Sequence, residues 1–353
     1  MTTDPVLGFD FGLSFASAPE RLAREDAERL AIGGRLLPYH FGFLDDYLRG
    51  IIPTDLVLLS AYPGIGKTDA AISIAAANAS DGKSVFVFAL EAEPKEIERR
   101  IKYRLLASLA FKRDLHVCRE LNYVDWYLGR LASKLGPLER EVDEIIGDKF
   151  RGLRTYYRGK DFTTADVHRL CLAVQDQADL IVIDHLHYVD IDDERGENGE
   201  YKKLVKTIRD IVLATGRPIL LVVHLRKKGF GAPLMPSLDE IHGSSDIAKI
   251  ATTAIMLGRA PSSITTPDHN HAPTFVSIPK WRLGGACRHV ALCTYDLRNR
   301  MYKDSYTLGR LENGDKDWTE TIPDPAHPWP TWARRVKGSG VNGGLSTQAR
   351  RAS

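Results

Sequence analysis

At 353 residues, 43% hydrophobic and 27% charged, the chain is long enough for one large α/β domain or two small ones with a real core. A formal net charge of +2 excludes a broadly basic, nucleic-acid-coating protein, so any nucleic-acid surface must come from local clustering. Cys118, Cys171, Cys287 and Cys293 lack CxxC spacing and read as buried reduced thiols, no apolar run approaches the ~18 residues of a membrane span, and Met-Thr-Thr-Asp is not a basic leader, which together predict a cytoplasmic protein with no membrane partner.

Residues 1–17 show no period and read as an irregular arm. Residues 18–32 predict a short charged helix, with Pro19 near its first turn and Gly33-Gly34 ending it. Residues 1–37 are therefore expected to form an N-terminal arm and linker helix. From Pro38 to Arg310, β-branched runs alternate with helical segments, the rhythm of an α/β domain with a mostly parallel sheet. The predicted strands are 56–60, 84–89, 153–157, 180–184, 219–224, 252–257, 274–279 and 289–295. A helical region spans 94–147, and a long helix over about 200–214 follows an acidic, glycine-containing loop. Residues 311–353 shift to Asp, Pro, Trp and Gly and are expected to be disordered, or ordered only on a partner.

The run Ala61-Tyr62-Pro63-Gly64-Ile65-Gly66-Lys67-Thr68 carries the most information. An apolar run precedes it and an Ala-rich helical stretch follows, the strand–loop–helix context of a phosphate-binding loop. Glycines let the backbone wrap a polyphosphate, and amides at the helix N-terminus point at its charge. Lys67 would then reach the β- and γ-phosphates, and Thr68 would ligate Mg²⁺. The strict pattern has Gly where this chain has Ala61. The run predicts binding of a nucleotide triphosphate.

Three further strands deliver polar groups at their carboxyl ends, where open α/β sheets bind ligands. Leu180–Asp184 ends in a carboxylate suited to Mg²⁺, although Asp also ends strands for plain turn reasons. Phe86–Glu91 delivers Glu91, either to orient and deprotonate an attacking water or, with Glu93, to cap the helix that follows. Pro218–His224 ends in a histidine able to sense a γ-phosphate. The next loop, Arg226-Lys227-Lys228-Gly229-Phe230-Gly231, would follow a phosphate backbone or be a solvated charged turn. Lys280 and Arg282 lie two apart on one strand face with no evident need for both within the subunit, which suggests either a finger donated to a neighbour or a surface charge pair.

Taken in order, these parts resemble the hexameric replicative helicases of the DnaB type, over roughly residues 38–300. Gly42–Gly50 is similar to the lead-in to the family's first strand, Ala61–Thr68 to its phosphate loop, and Phe88–Glu91 to the segment with its catalytic glutamate. Leu180–Asp184 resembles the Mg²⁺-binding strand, although the family more often has Tyr and Gln at positions 185 and 187, both His here. At position 224 DnaB itself carries Gln and the branch of the phage T7 primase–helicase and Twinkle carries His, so this chain looks nearer that branch. The segment around Gly243, Ser244 and Ser245 is similar to a DNA-contacting loop, to which the resemblance adds Arg226, Lys227 and Lys228.

By the same resemblance, Arg259 packs a nucleotide base, Tyr295 stacks on it, and Lys280 and Arg282 act in trans as piston and finger. The fold implied is a RecA-like ATPase domain over residues 38–310. The activity implied is ATP-driven, Mg²⁺-dependent translocation on single-stranded DNA as a hexameric ring, with a primase or loader as partner. No collar domain, primase or zinc ribbon is expected in the chain, leaving the 18–32 helix as the candidate dock on a neighbour. That departure keeps a second reading open, a DNA-stimulated RecA-like ATPase without unwinding activity, such as a recombination mediator, helicase loader or defence component. A degenerate nucleotide-binding scaffold is opposed by the presence of Lys67, Thr68, Glu91 and Asp184 together.

Overall fold

The computed structural model describes residues 18–159, 161–191, 197–226, 234–242, 245–261, 270–313 and 317–321. The helices are α1 (Ala18–Gly33), α2 (Gly42–Leu48), α3 (Lys67–Ser80), α4 (Glu96–Lys112), α5 (Tyr123–Tyr127), α6 (Ala132–Lys149), α7 (Thr164–Val174), α8 (Glu197–Thr215) and α9 (Ser245–Ile250). The strands are β1 (Leu56–Ala61), β2 (Val85–Ala89), β3 (Leu153–Tyr157), β4 (Leu180–Asp184), β5 (Ile219–His224), β6 (Thr253–Arg259), β7 (His271–Trp281), β8 (Val290–Asp296), β9 (Met301–Glu312) and β10 (Asp317–Glu320). They form one sheet in the order β10-β9-β8-β7-β6-β1-β5-β4-β2-β3. From β6 through β3 the pairing is parallel, and from β6 through β10 it is antiparallel. The fold is thus α/β with a mostly parallel central sheet, as the alternating runs predict.

Helices cover both faces of the parallel half, which is why its inner strands are near-continuous apolar runs, while the edge strand β3 is part-exposed. Side chains alternate across a strand, so each run feeds two cores. In β1, Val57 and Leu59 join a core with Ile72, Ala75 and Phe43 of α3 and α2, while Leu56 and Leu58 join one with Leu204 and Ile208 of α8. Leu220 and Val222 of β5 face the first core, and Ile219, Leu221 and Val223 the second. A third cluster joins α4 to α6 through Tyr103, Leu106, Leu135 and Val142.

All eight strands read from the sequence are present, and the 18–32 and 200–214 helices appear as α1 and α8. The sheet also runs past Arg310, because β9 and β10 form an antiparallel hairpin on its edge. Residues 322–353, most of the expected tail, lie outside the described residues. Among the described residues, no helix is long and apolar enough to cross a membrane.

Candidate active site

The sheet order β1-β5-β4-β2 aligns four carboxyl ends side by side. They carry the phosphate-loop sequence, His224, Asp184 with His185, and Glu91, from segments far apart in the chain. The backbone amides of Leu90 and Glu91 both donate to the Asp184 carbonyl, at 2.7 and 3.4 Å, which brings Glu91 beside His185.

Ala61 remains in extended β1, paired with His224 and Leu257 and fully buried. The turn that needs glycine comes later, at Gly64 (φ 78°) and Gly66 (φ 91°), in the left-handed region that strains other residues. Alanine at position 61 is therefore no defect. A Cβ on Gly66 would make ordinary contacts with Tyr302 and Tyr295, at 3.4 and 3.5 Å, so it is the backbone angle that calls for glycine. The Tyr302 hydroxyl donates to the Ile65 carbonyl at 2.8 Å, so β9 supports the loop from the antiparallel side.

The loop opens on a polar cavity whose lining includes Gly64, Gly66, Lys67, Thr68, Glu91 and Asp184. Ala61, Tyr62 and Pro63 are not among its lining residues, although the sequence reading grouped them with the binding loop. Tyr62 instead donates its hydroxyl to Glu240. Lys67 opens α3 and is 8% exposed. The Thr68 hydroxyl lies 3.4 Å from an Asp184 carboxylate oxygen. Burial raises the Asp184 carboxyl above the usual carboxylate range, opposed by His185 and Lys67. Two oxygen donors, one on a desolvated carboxylate, fit a hard divalent cation, whose charge would favour the ionised form.

Glu91 accepts from His185 Nε2 at 2.9 Å, with His224 Nε2 at 4.0 Å. The His185 hydrogen bond holds the Glu91 carboxyl at about 2, outweighing partial burial. Glu91 is not a helix cap: α4 starts at Glu96, and it is Glu93 that approaches Arg99, at 3.6 Å. Burial, with His185 and Lys67 nearby, pushes His224 down to about 3, and burial brings His187 to about 4. The His224 amide donates to His187 Nδ1 at 3.3 Å, His187 Nε2 meets the His242 carbonyl at 3.1 Å, and the His242 amide donates to the His224 carbonyl at 3.0 Å. This histidine chain links the Glu91 side of the cavity to the entrance of the 243–245 segment.

Several polar residues of the site were missed by the sequence reading, among them His185, Glu96 and a cluster around Asp69. Asp69, 3% exposed, follows Thr68 and takes ion pairs from Arg100 (3.0 Å), Arg104 (3.3 Å) and Arg300 (2.9 Å). The Tyr295 hydroxyl also donates to it, at 2.5 Å. Burial alone would raise the Asp69 carboxyl, but Arg104, Arg300 and Arg100 bring it below the usual range. Their only sequence signal is an Asp at the first turn of the helix after the loop. Asp69→Asn strips the compensating charge from three part-buried or buried guanidinium groups, and it should destabilise the fold by about 3–5 kcal/mol at neutral pH in a urea titration. Because the folded carboxyl is depressed, its stabilisation is present above the usual 3.8 and is lost as pH falls through its lower folded value, so the two proteins should converge in acid. Equal stability at pH 7 would show that Asp69 does not bind the cluster together.

A second, more apolar cavity adjoins the first and is lined by Gly64, Ile65, Arg259, Pro261, Thr274 and Tyr295 among others. Arg259 and Tyr295 thus meet beside the loop, with Tyr295 lining both cavities.

Lys280 and Arg282 are not brought to this site. Lys280 pairs with Ala254 at the amino end of β6, five residues from Arg259, or about 16 Å of strand. Its ammonium donates to the carbonyls of Ala248 and Lys249, both at 2.7 Å, at the C-terminus of α9. Burial, with Arg282 and Arg209 nearby, lowers its pKa. The expectation that nothing within the subunit needs both cations is corrected here, because Lys280 satisfies helix-end carbonyls. Arg282 is exposed, and its amide donates to the Thr252 carbonyl at 2.9 Å.

Arg226 is exposed, one residue after the Leu225–Ile241 bridge, with its amide donating to the Glu240 carbonyl at 2.7 Å. Lys227, Lys228, Gly243 and Ser244 lie outside the described residues, and Ser245 opens α9.

Known proteins place this geometry. The replicative DNA helicase DnaB of Haemophilus influenzae is 32% identical over 112 residues, 31% of this chain and 22% of that protein. A probable replicative DNA helicase of Trieres chinensis is 23% identical over 222 residues, 61% of this chain and 46% of that protein. The chain thus spans less than half the length of either relative. Among solved structures, an isolated ATPase domain superposes with a TM-score of 0.62 at 16% identity, covering 82% of this chain and 99% of that one. A DnaB-like replicative helicase, from a structure addressing its interactions with primase, gives a TM-score of 0.62 at 15% identity, covering 83% and 67%. The fold is therefore that of a RecA-like DnaB ATPase domain. The AAA domain family profile matches residues 43–229, more than half of the sequence, from the lead-in to the first strand to the loop beyond His224, and the chain belongs to the AAA domain family.

Proposed function

We propose that the chain is an ATP-hydrolysing enzyme of the DNA helicase type, coupling hydrolysis to movement on single-stranded DNA as a ring. The observation that carries this is the convergence of Lys67, Thr68, Asp184 and Glu91 on one cavity at the carboxyl ends of β1, β4 and β2. Gly64, Gly66 and the first amides of α3 would cradle the polyphosphate, with Lys67 neutralising its developing charge. Thr68 and Asp184 would hold Mg²⁺, which neutralises phosphate charge when bound. Arg259 and Tyr295, on the more apolar cavity, would hold the base.

Glu91 would orient the attacking water and take its proton. The His185 hydrogen bond keeps that carboxylate ionised and aimed. His224 sits where a γ-phosphate would be sensed, and the contacts through His187 and His242 would pass that state to the 243–245 segment. A histidine at this position favours the T7-like branch of the DnaB type. With Arg226, Lys227 and Lys228, the 243–245 segment would contact the DNA backbone.

Glu91→Gln tests the assignment. It should bind ATP and Mg²⁺ normally while turnover falls by about 10²–10⁴-fold, the usual contribution of general-base catalysis. Lost nucleotide affinity with unchanged turnover would make Glu91 structural and move the base elsewhere.

A further inference from the structure

Glu91, His185 and His224 come from three adjacent strand ends and offer three ligand atoms within 4.8 Å of one another. Glu91 Oε2 lies 2.9 Å from His185 Nε2 and 4.0 Å from His224 Nε2, and the two ring nitrogens are 2.5 Å apart. Ligands about 2.0 Å from a tetrahedral zinc ion sit about 3.3 Å apart, so the three atoms reach that spacing with shifts of under about 1 Å, which the part-exposed Glu91 and His224 side chains can make. We propose that these three residues form a second metal site, selective for a zinc-type divalent ion over Mg²⁺, and that filling it stops hydrolysis.

The donor set carries the selectivity. Mg²⁺ takes oxygens in near-octahedral order, and Thr68 with Asp184 offers those, whereas two imidazoles and one carboxylate suit zinc, with water in its fourth position. His185 is 1% exposed, so its ring enters the site with little freedom left to lose. Its Nε2 hydrogen now points at Glu91, and metal binding shifts that hydrogen to Nδ1. The cost is the long 3.3 Å contact from the His187 amide to Nδ1. The Lys67 ammonium opposes a cation here and the Asp184 carboxylate favours one.

The block follows from which oxygen is occupied. With Oε2 bound to a dication, the Glu91 carboxylate loses most of its basicity and no longer takes up the proton of an attacking water. That consequence rests on the proposed role of Glu91, whereas metal binding does not.

The test is zinc titration of the full chain without nucleotide, followed by calorimetry and by thermal melting. One ion should bind per chain. His224→Gln and His185→Tyr, which install the residues common in the DnaB type, should weaken binding by more than the ~10–100-fold that indirect changes at a metal site cost. Circular dichroism checks that both variants fold. Wild-type turnover should fall as the site fills, and whatever turnover His224→Gln retains should resist zinc. Equal zinc affinity in wild type and both folded variants overturns the site. Should the variants unfold, Co²⁺ bound to wild type decides, since a four-coordinate spectrum supports the site and a six-coordinate one overturns it. Zinc binding that both variants lose, with wild-type turnover unchanged at saturation, keeps the metal site and overturns Glu91 as the water-activating group.

Discussion

Lys67→Ala should abolish ATP hydrolysis while leaving the fold intact. Phosphoryl transfer asks little covalent chemistry of a protein, so rate comes from positioning and from charge placed where negative charge develops. Lys67 is nearly buried at the first position of α3, facing the cavity shared by Thr68, Glu91 and Asp184. Removing one preorganised donor of this kind costs about 10²–10³-fold, and here the donor is a full charge, so the loss should reach or exceed that range. Alanine is the best helix former, which keeps the start of α3 helical. Steady-state phosphate release, with circular dichroism as the folding control, gives the result. Near-normal turnover in a folded variant removes the phosphate-loop assignment.

Arg282→Ala should be almost as severe, for a reason that lies outside the single chain. Arg282 sits past the amino end of β6, at the opposite end of the strands from its own phosphate loop. Any phosphate it serves must belong to another copy. A finger donated in trans contributes about 10³–10⁵ in rate. The variant should therefore fold, bind nucleotide and hydrolyse it very slowly as a pure protein. Mixed with Lys67→Ala, it should recover part of its activity, because some interfaces then pair an intact loop from one copy with an intact finger from the other. Basal hydrolysis is the readout, since unwinding requires several good interfaces in succession. Normal turnover in Arg282→Ala, or no recovery on mixing while rings still assemble, would falsify the trans assignment and favour a DNA-stimulated ATPase that does not work as a ring.

The inner strands of the parallel half were legible because they are buried on both faces. Runs such as Leu180–Asp184 and Ile219–His224 have no solvent side to break the apolar pattern. β9 escaped for the opposite reason. Met-Tyr-Lys-Asp-Ser-Tyr-Thr-Leu-Gly-Arg-Leu-Glu lies near the edge and is largely part-exposed or exposed, so its polar residues hide the apolar run that marks a strand. Lys67, Thr68, Asp184 and Glu91 could be named because each closes or follows a strand signal. The Asp69 cluster could not, since Arg300 is 231 positions away and meets Asp69 only once β8 and β9 have folded over the loop. The Glu91–His185–His224 group was hidden likewise. Each residue was visible singly, but the strand order that makes β2, β4 and β5 neighbours is not written in any one of them.

The hydrogen bond from Tyr302 to the Ile65 carbonyl, with Tyr295 against Gly66 and Asp69, makes the far C-terminal strands part of the grip on phosphate. If nucleotide binds the loop as proposed, its binding and the stability of the β8–β9 pair are linked, so each would strengthen the other by the same free energy. A nucleotide bound there would act as a clasp across the sheet, joining segments 237 residues apart. Hydrogen exchange along residues 290–312 should slow when nucleotide binds, although those strands lie on the antiparallel side of the molecule.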